Sequence, residues 1–487
     1  MALTPAGRSR RVVVMNDVLL LGFGPRLAGL GLTLAALLSS SAAHAQTCLE
    51  TRPTDPGGSA AFDYGSVEVA FFDSASGRAR VHYALSGTHA PPPAATVQEG
   101  VPDAVVAAAE AADEALGVYE GLGFEPPLAD GDSPCTSNGD SEAIDIYVAN
   151  FPSADGQAVH VFCEPGTPER CAGYVVVEND FRGGAYEDVT EGMRTVVPHE
   201  LFHLVQNAYD AGVERWWAEG SAQWAAKKVY PTLRDLERFL PAYFENAWRP
   251  LDQPPSGVVA GFIYGAAIWP VFLEQDYGAD VVREVYEALD GQQSVLEATD
   301  AVLSARGSSL AAAHLRFATM NVGTGERAPI GSGYDAAESY PMLEVTPLPV
   351  APGASFSEVG AGLGSFYYAV ESETPLELSL DADPTRVAAV LVRLEEGRAQ
   401  VDEAAPLPAT LEGSAILVVA GQSLARTNAP FTVLASAPAT HFPDLDQSSC
   451  GVARLRPANS GALAAIVVSL SGVAWARARR KTRRKDA

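Results

Sequence analysis

The chain has 487 residues, of which 47% are hydrophobic, with 44 glycines and 34 prolines. This composition excludes a wholly disordered chain and is typical of a loop-rich globular protein with two or three domains. The net charge is −27; since residues 1–45 contribute +3 and residues 461–487 contribute +6, the middle of the chain carries −36. Such a surface disfavours nucleic acid and anionic lipid as partners and can attract cations, including calcium.

The first 45 residues have the three parts of a secretory signal peptide. Arg8, Arg10 and Arg11 form a basic start, residues 27–38 form an apolar core, and a small-x-small cleavage site ends at Ala45. A retained membrane anchor is disfavoured because the apolar core is short. We therefore predict an exported protein whose mature part begins after residue 45.

Five cysteines agree with export, because disulfides form in oxidising compartments. Cys163 and Cys171 flank a short segment rich in proline and glycine, which predicts a local disulfide. Cys48 and Cys135 are candidates for a second bridge, and Cys450 is left over. None of the five has zinc-finger spacing.

The elements before the central motif alternate between strand and helix patterns. Residues 67–71 and 78–83 alternate apolar and polar positions, which predicts two strands. An alanine-rich helix is predicted at residues 103–119. Residues 143–148 predict a half-buried strand, and residues 173–177 a more buried one.

An acidic, glycine-rich loop lies between these elements at residues 130–140. Carboxylates at this density are typical ligands of Ca²⁺, so calcium is a candidate second cofactor. The loop lacks the full EF-hand spacing, and a plain solvated loop is therefore the favoured interpretation.

A helical pattern then leads into His-Glu-Leu-Phe-His at residues 199–203. On a helix, His199 and His203 lie one turn apart on the same face and can bind one zinc ion. Glu200 lies beside the first histidine, where it can take a proton from water at the metal. A buried helix with two hydrogen-bonded core histidines would have the same pattern. Pro198 implies that the helix either starts there or is kinked there.

Two histidines leave a catalytic zinc site incomplete, because such a site normally has three protein ligands and an open position. The metzincin pattern places a third histidine six residues after the second, but that position is Tyr209. Glu219 follows His203 by sixteen residues and is followed by small residues that would allow close helix packing. Glu219 is therefore the candidate third ligand, with His160 and Asp210 as alternatives.

The two blocks resemble those of the gluzincin class of zinc metallopeptidases, in which a glutamate on the next helix completes the His-Glu-x-x-His site. They are similar in particular to secreted myxobacterial metalloproteases with a His-Glu-Phe-x-His-x-x-Gln block and a Trp-x-x-Glu-Gly-x-Ala block. Here these are residues 199–206 and 216–222, with Leu201 in place of the phenylalanine. The resemblance extends over residues 65–330, and the gap between the blocks is slightly shorter than in thermolysin-like enzymes.

The resemblance implies an α+β fold with a zincin-like metallopeptidase domain at residues 46–340, built from a small mixed sheet and active-site helices. It implies that His199, His203 and Glu219 bind one catalytic Zn²⁺. Glu200 would then be the general base in the hydrolysis of a protein or peptide substrate.

Three supporting roles have candidates as well. An oxyanion donor is usually needed, and three tyrosines are candidates, although a packing role is the favoured interpretation of each. They are Tyr264, Tyr209 and Tyr230. Asn207 or Asp210 would hold a ligand imidazole in place. Zinc peptidases of this kind offer a strand edge to the substrate backbone, and residues 143–148 or 173–177 would supply it.

The composition shifts after residue 340, beyond helical patterns at residues 256–289 and 310–320. Short β-type runs separated by Gly, Pro and Asp predict a β-sandwich domain at residues 341–440. The runs are residues 366–370, 376–380, 387–394, 416–420 and 431–434.

The C-terminus has the pattern of a membrane-associated tail. A polar linker at residues 441–460 precedes sixteen small or apolar residues, which are followed by seven Lys or Arg. Residues 461–487 therefore predict a transmembrane segment or a removable sorting tail, and both place the folded part outside the cytoplasm.

The leading hypothesis is thus a secreted or cell-surface zinc endopeptidase. The alternative is a surface adhesin that keeps the zincin fold without turnover, although an inactive relative would usually lose Glu200. A structural-zinc protein is disfavoured, because structural sites are closed and usually rich in cysteine. Neither the peptide specificity nor the oligomeric state follows from the sequence.

Overall fold

The computed structural model describes residues 49, 51–55, 57–59, 62–129, 139, 141–151, 154–164, 166–255 and 261–438. One compact unit extends to Ser436. Several predicted features lie outside the described residues: the signal peptide, the linker, the C-terminal tail, Cys48, Cys135, Cys450 and the acidic loop apart from Gly139. Among the helices that are described, none is both long and apolar enough to cross a bilayer.

The N-terminal part is built on a five-stranded mixed sheet with the order β1-β2-β3-β5-β4. Its strands are β1 (Val69–Asp73), β2 (Ala79–Ala84), β3 (Ile144–Ala149), β4 (Gly156–Glu164) and β5 (Arg170–Glu178). The three inner strands run parallel, whereas β1 and β4 run antiparallel to their neighbours. The strand β4 is therefore an antiparallel edge strand.

This order corrects the prediction of the substrate strand. Residues 143–148 and 173–177 do form strands, but these are β3 and β5, and each is paired on both sides. Neither has a free edge. The sequence-based prediction did not include β4, which is the edge strand next to α2; at the far end of this edge the Val161 carbonyl accepts a hydrogen bond from the Leu49 N–H at 2.9 Å.

Two long helices, α1 (Asp103–Gly121) and α2 (Val189–Asn207), cover one face of this sheet. The alternation of side chains along the strands produces the two faces. Val175 and Val177 of β5 join the core beneath the helices, whereas Tyr174 and Val176 join a core on the opposite face. The α2 helix thus lies on the sheet close to its β4 edge.

The side chain of Asp188 caps the start of α2 by accepting a hydrogen bond from the Glu191 N–H at 2.9 Å. The helix therefore starts well before Pro198, and the alternative that it starts at Pro198 is wrong. The Pro198 carbonyl accepts a hydrogen bond from the hydroxyl of Tyr119 at 2.7 Å, which ties α2 to α1.

Seven further α-helices lie in the part of the chain that the structure describes. They are α3 (Arg215–Val229), α4 (Asp235–Phe244), α5 (Gly261–Gly265), α6 (Ile268–Tyr277), α7 (Val281–Ala288), α8 (Val295–Ala305) and α9 (Leu310–Val322). Gly220 lets α3 approach the chain between α5 and α6, because a Cβ there would lie 3.2 Å from backbone atoms of Ala266 and Ala267. The expectation of close packing after Glu219 is confirmed at this glycine.

Eight strands form a second sheet, with the order β10-β9-β12-β8-β13-β7, β11 beside β9 and β6 beside β8. They are β6 (Thr346–Pro347), β7 (Ser355–Ala361), β8 (Ser365–Ala382), β9 (Val387–Glu395), β10 (Arg398–Ala399), β11 (Ala405–Pro406), β12 (Ala409–Gly421) and β13 (Asn428–Ser436). All pairs are antiparallel except β6 with β8. The prediction of an α+β fold is confirmed.

Hydrogen bonds join these strands into one sheet, whereas the sequence predicted two packed sheets. The two runs at residues 366–370 and 376–380 belong to a single long strand, β8, which pairs with both β12 and β13. Ile416 and Val418 of β12 join the core of the helical part, while Leu417 and Val419 join a separate core. The predicted boundary between residues 340 and 341 therefore lies within one compact unit.

Candidate metal centre

Three predicted ligands meet where α2 faces α3. The Nε2 atom of His199 lies 3.3 Å from Oε2 of Glu219, and the Nε2 atom of His203 lies 3.5 Å from the same oxygen. The two Nε2 atoms are 3.2 Å apart. The i, i+4 spacing on α2 and the reversal of the chain between α2 and α3 bring these three atoms to one point.

The spacing of these atoms fits one zinc ion. Ligands about 2.0–2.1 Å from a tetrahedral zinc lie about 3.3–3.4 Å from one another, close to all three separations. Two imidazoles and a carboxylate are also a donor set of catalytic zinc sites. His199, His203 and Glu219 can therefore hold a zinc ion in nearly the arrangement they have here.

The electrostatics of the three groups are coupled. Burial alone would raise the pKa of the Glu219 carboxyl, but hydrogen bonds from His199 and His203 outweigh it and hold that pKa well below its ordinary range. Burial lowers the pKa of His203, yet Glu219 and Glu200 together raise that pKa to about 9. The centre thus favours positive charge between its ligands, whether carried by protons or by a metal ion.

Gln206 fixes the orientation of one candidate ligand, His203. Its Oε1 lies 2.8 Å from Nδ1 of His203, so the ring donates from Nδ1 and directs Nε2 toward Glu219. The Nε2 of Gln206 donates to the carbonyl of Ala218 at 2.8 Å and to the hydroxyl of Ser221 at 3.1 Å. This buried amide therefore links the histidine to the helix that carries Glu219.

The candidate base Glu200 is buried between α2 and β4. Its carboxylate accepts a hydrogen bond from the Ala158 N–H, and a Cβ on Gly156 would lie 2.8 Å from its Cγ. Burial raises the pKa of the Glu200 carboxyl, although the two histidines and the Ala158 N–H act in the opposite direction. A carboxylate with a raised pKa is better matched to accepting a proton near neutral pH.

The second oxygen of Glu219 faces α5 and the first turn of α3. Nε of Arg215 lies 3.4 Å from Oε1 of Glu219, and the hydroxyl of Tyr264 is hydrogen-bonded to the same carboxylate. The Tyr264 ring stacks on Phe239 at 4.9 Å, and its centroid lies 5.8 Å from that of His199. Of the three tyrosines proposed as oxyanion donors, Tyr264 is thus the one in contact with the candidate ligands.

The other two tyrosines make different contacts. The Tyr209 hydroxyl accepts a hydrogen bond from the Glu125 N–H at 2.7 Å, and its ring packs in an aromatic core. The Tyr230 ring lies 5.9 Å from the guanidinium of Arg194. Both are placed as packing residues.

The two residues proposed to hold a ligand imidazole also have other partners. The Asn207 side chain is hydrogen-bonded to His160 on β4, and a carboxylate oxygen of Asp210 accepts from the Gly212 N–H at 2.8 Å. Gln206 fills that role for His203. The sequence feature that could have identified Gln206 is a polar residue on the buried face of α2, three residues after the second histidine.

A cleft of about 290 Å³ opens beside Glu200 and His199. Gly156 at the start of β4 and the two residues before it form one wall. The facing wall carries Tyr264 from α5 with Phe239 and Arg238 from α4. A larger cavity of about 620 Å³ lies elsewhere, and neither the candidate ligands nor Glu200 line it. The smaller cleft is therefore the one that belongs to the centre.

Comparisons with known proteins give no assignment. No family model and no curated protein matches the chain. A periplasmic inhibitor of g-type lysozyme, PliG of Aeromonas hydrophila, matches with 13% identity and a TM-score of 0.15 over 19% of this chain and 96% of its own. PliG of Salmonella Typhimurium matches with 9% identity and a TM-score of 0.15 over 19% of this chain and 100% of its own. At this TM-score the likeness carries no argument about fold or function.

Proposed function

We propose that this protein is a zinc-dependent peptidase of the gluzincin type, with a zincin-like domain formed by the first sheet and its helices. The observation that carries the proposal is the convergence of His199, His203 and Glu219 within 3.2–3.5 Å of one another, with Glu200 beside them. Export, and association of the tail with a membrane, are parts of the proposal that rest on the sequence alone.

The residues of the centre divide the chemistry between them. A zinc ion held there would activate water and polarise the scissile carbonyl. Glu200 accepts the proton of the attacking water and passes it to the leaving amine. The hydroxyl of Tyr264 is the candidate donor to the developing oxyanion, since Tyr264 lines the cleft together with His199 and Glu200.

The free edge of β4 is the candidate binding surface for the peptide backbone. The carbonyl of Val159 faces β5, whereas the N–H of Ala158 points away from β5 toward Glu200. Main-chain groups of alternate residues along β4 are thus directed to the edge beside the cleft. A peptide added there as an extra strand would place a carbonyl close to the candidate metal position.

The alternative, an adhesin that keeps the fold without turnover, accounts less well for Glu200. A binding protein gains nothing from a buried carboxylate held next to three metal ligands, because burying such a charge is unfavourable. The raised pKa of Glu200 and its bond from Ala158 match a proton-transfer role.

The test combines zinc analysis of the purified full chain with cleavage of an unstructured protein such as casein. We expect about one zinc per chain and cleavage that a chelator abolishes. Glu200→Gln should keep the zinc and lose the activity, whereas Glu219→Ala should lower zinc occupancy. Absence of zinc from the wild type, or full activity in Glu200→Gln, would refute the proposal.

A further inference from the structure

A second group of metal-binding side chains lies on the edge strand β4 and its neighbour β5. Ligand atoms of His160, Cys163 and Cys171 lie within 4.8 Å of one another. Cys163 on β4 is directly opposite Cys171 on β5, and the two form a disulfide. This group shares no residue with the candidate zinc centre.

A β-bulge brings the histidine to the cysteines. Residues three apart on a regular strand point to opposite faces of the sheet, so His160 and Cys163 would be separated. The register of β4 against β5 shifts between His160 and Phe162, which inserts one extra residue. The bulge therefore turns His160 to the face that carries the disulfide.

We propose that His160, Cys163 and Cys171 bind a second zinc ion when the disulfide is reduced, so that the metal joins β4 to β5 in place of the S–S bond. A dithiol would supply the two electrons and two protons that convert the disulfide into two thiols, and would itself become a disulfide. Zinc binding then releases the two thiol protons and leaves two thiolates and one imidazole as ligands. Solvent takes the fourth position.

The dimensions of the group suit this exchange. Zinc–sulfur bonds of about 2.3 Å and zinc–nitrogen bonds of about 2.0–2.1 Å place tetrahedral ligands about 3.4–3.8 Å apart. The ligand atoms already lie within 4.8 Å, and rotation of the two cysteine side chains is enough to separate the sulfurs. The strands themselves need not move, because the two Cα atoms, 4.0 Å apart, stay in register.

His160 is prepared to act as a ligand. Its ring is hydrogen-bonded to the side chain of Asn207 at the end of α2, which restrains its orientation. Burial lowers the pKa of His160, so the neutral imidazole that binds metals predominates near neutral pH. The disulfide would thus link β4 to β5 in the oxidised protein, and the zinc ion would link them in the reduced protein. The link lies a few residues from Gly156 and Ala158, which contact Glu200.

The experiment measures zinc per chain in the full-length protein before and after reduction by a phosphine, with excess zinc removed by gel filtration. We expect one additional zinc per chain on reduction. Cobalt loaded instead of zinc should give a thiolate charge-transfer band only in the reduced protein.

Variants separate this site from the other cysteines. The gain should persist in Cys48→Ser/Cys135→Ser/Cys450→Ser and disappear in Cys163→Ser/Cys171→Ser. If the last variant does not fold, loss of the gain in His160→Gln decides the same question. Equal zinc content before and after reduction, or a gain that survives the Cys163 and Cys171 substitutions, would overturn the inference. An oxidised protein without zinc would instead count against the proposed peptidase, and a gain on reduction would still support the second site.

Discussion

Replacing Gln206 by methionine gives a direct test of how the centre is organised. Methionine has a similar length and is apolar, so it can fill the buried space while removing the acceptor that lies 2.8 Å from Nδ1 of His203. The imidazole then loses the group that fixes its tautomer and ring plane. The same change removes the amide that donates to Ala218 and Ser221, which loosens the connection between α2 and α3.

The expected effect is a loss of zinc affinity by about 10- to 100-fold, the usual consequence of removing the partner of a ligand imidazole. This corresponds to about 1.4–2.7 kcal/mol of binding free energy. The upper end is expected here, because Gln206 is only 2% exposed and its loss leaves the Ala218 carbonyl without that donor.

The assay is competition for zinc between the protein and a chromophoric chelator, with Asn207→Leu as the matched control. Asn207 is the next residue along the same helix and is similarly buried, but its side chain bonds to His160. We expect Asn207→Leu to leave zinc affinity nearly unchanged in the oxidised protein. If Gln206→Met binds zinc as tightly as the wild type, the orienting role assigned to Gln206 is wrong.

Two other predictions concern the edge strand and the second sheet. Gly156→Ala would place a Cβ 2.5 Å from Cγ1 of Val196 and 2.8 Å from Cγ of Glu200. Because this displaces the base, we expect peptidase activity to fall about 100-fold with zinc retained. Gly117→Ala is the control and should keep full activity, since the nearest atom outside its own helix backbone lies at 3.8 Å. Burial lowers the pKa of His314 to about 4, against an ordinary value of 6.5. Between pH 6.5 and pH 4, the His314 imidazole is therefore protonated in the unfolded chain and neutral in the folded one. Protonation of the unfolded chain should lower the free energy of unfolding by about 3 kcal/mol as the pH falls across this interval. Urea unfolding at both pH values should therefore show a smaller loss for His314→Gln than for the wild type, and equal losses would contradict this assignment.

Local patterns were enough to predict the parts of the molecule that depend on neighbouring residues. The strands at residues 67–71, 78–83 and 143–148, and the helix at residues 103–119, are all present, because alternation and helical periodicity act over short stretches. The long strand β8 was predicted as two strands, since a polar segment with a proline was interpreted as a turn. Pairing with β12 stops at that segment and resumes beyond it after a register shift, and β13 pairs with the second half, so long-range pairing joins the two halves into one strand.

Which strand borders the site was not predictable in the same way, because an edge is a property of strand order and not of any one segment. The interior strands of the sheet have more regular apolar patterns than β4, because they are buried on both faces of the sheet. These are the strands at residues 143–148 and 173–177. A strand with one free edge has a weaker pattern, with glycine at the position of close approach. Gly156 is that position, because a side chain there would collide with Val196 and Glu200 of α2.

The candidate ligands follow from local sequence patterns, whereas the residues that orient them depend on contacts between elements. His199, His203 and Glu219 can be proposed as zinc ligands from residue type and spacing alone, because zinc restricts its ligands to a few side chains and α2 sets the first two in fixed positions. Gln206 and Ala158 act on those groups through contacts between elements, one from α2 to α3 and one from β4 to α2. A site with the correct ligands but without these contacts would bind zinc with a mobile histidine and a displaced base. The predicted losses in Gln206→Met and Gly156→Ala therefore test the two contacts separately: zinc affinity should respond to the first substitution and turnover to the second.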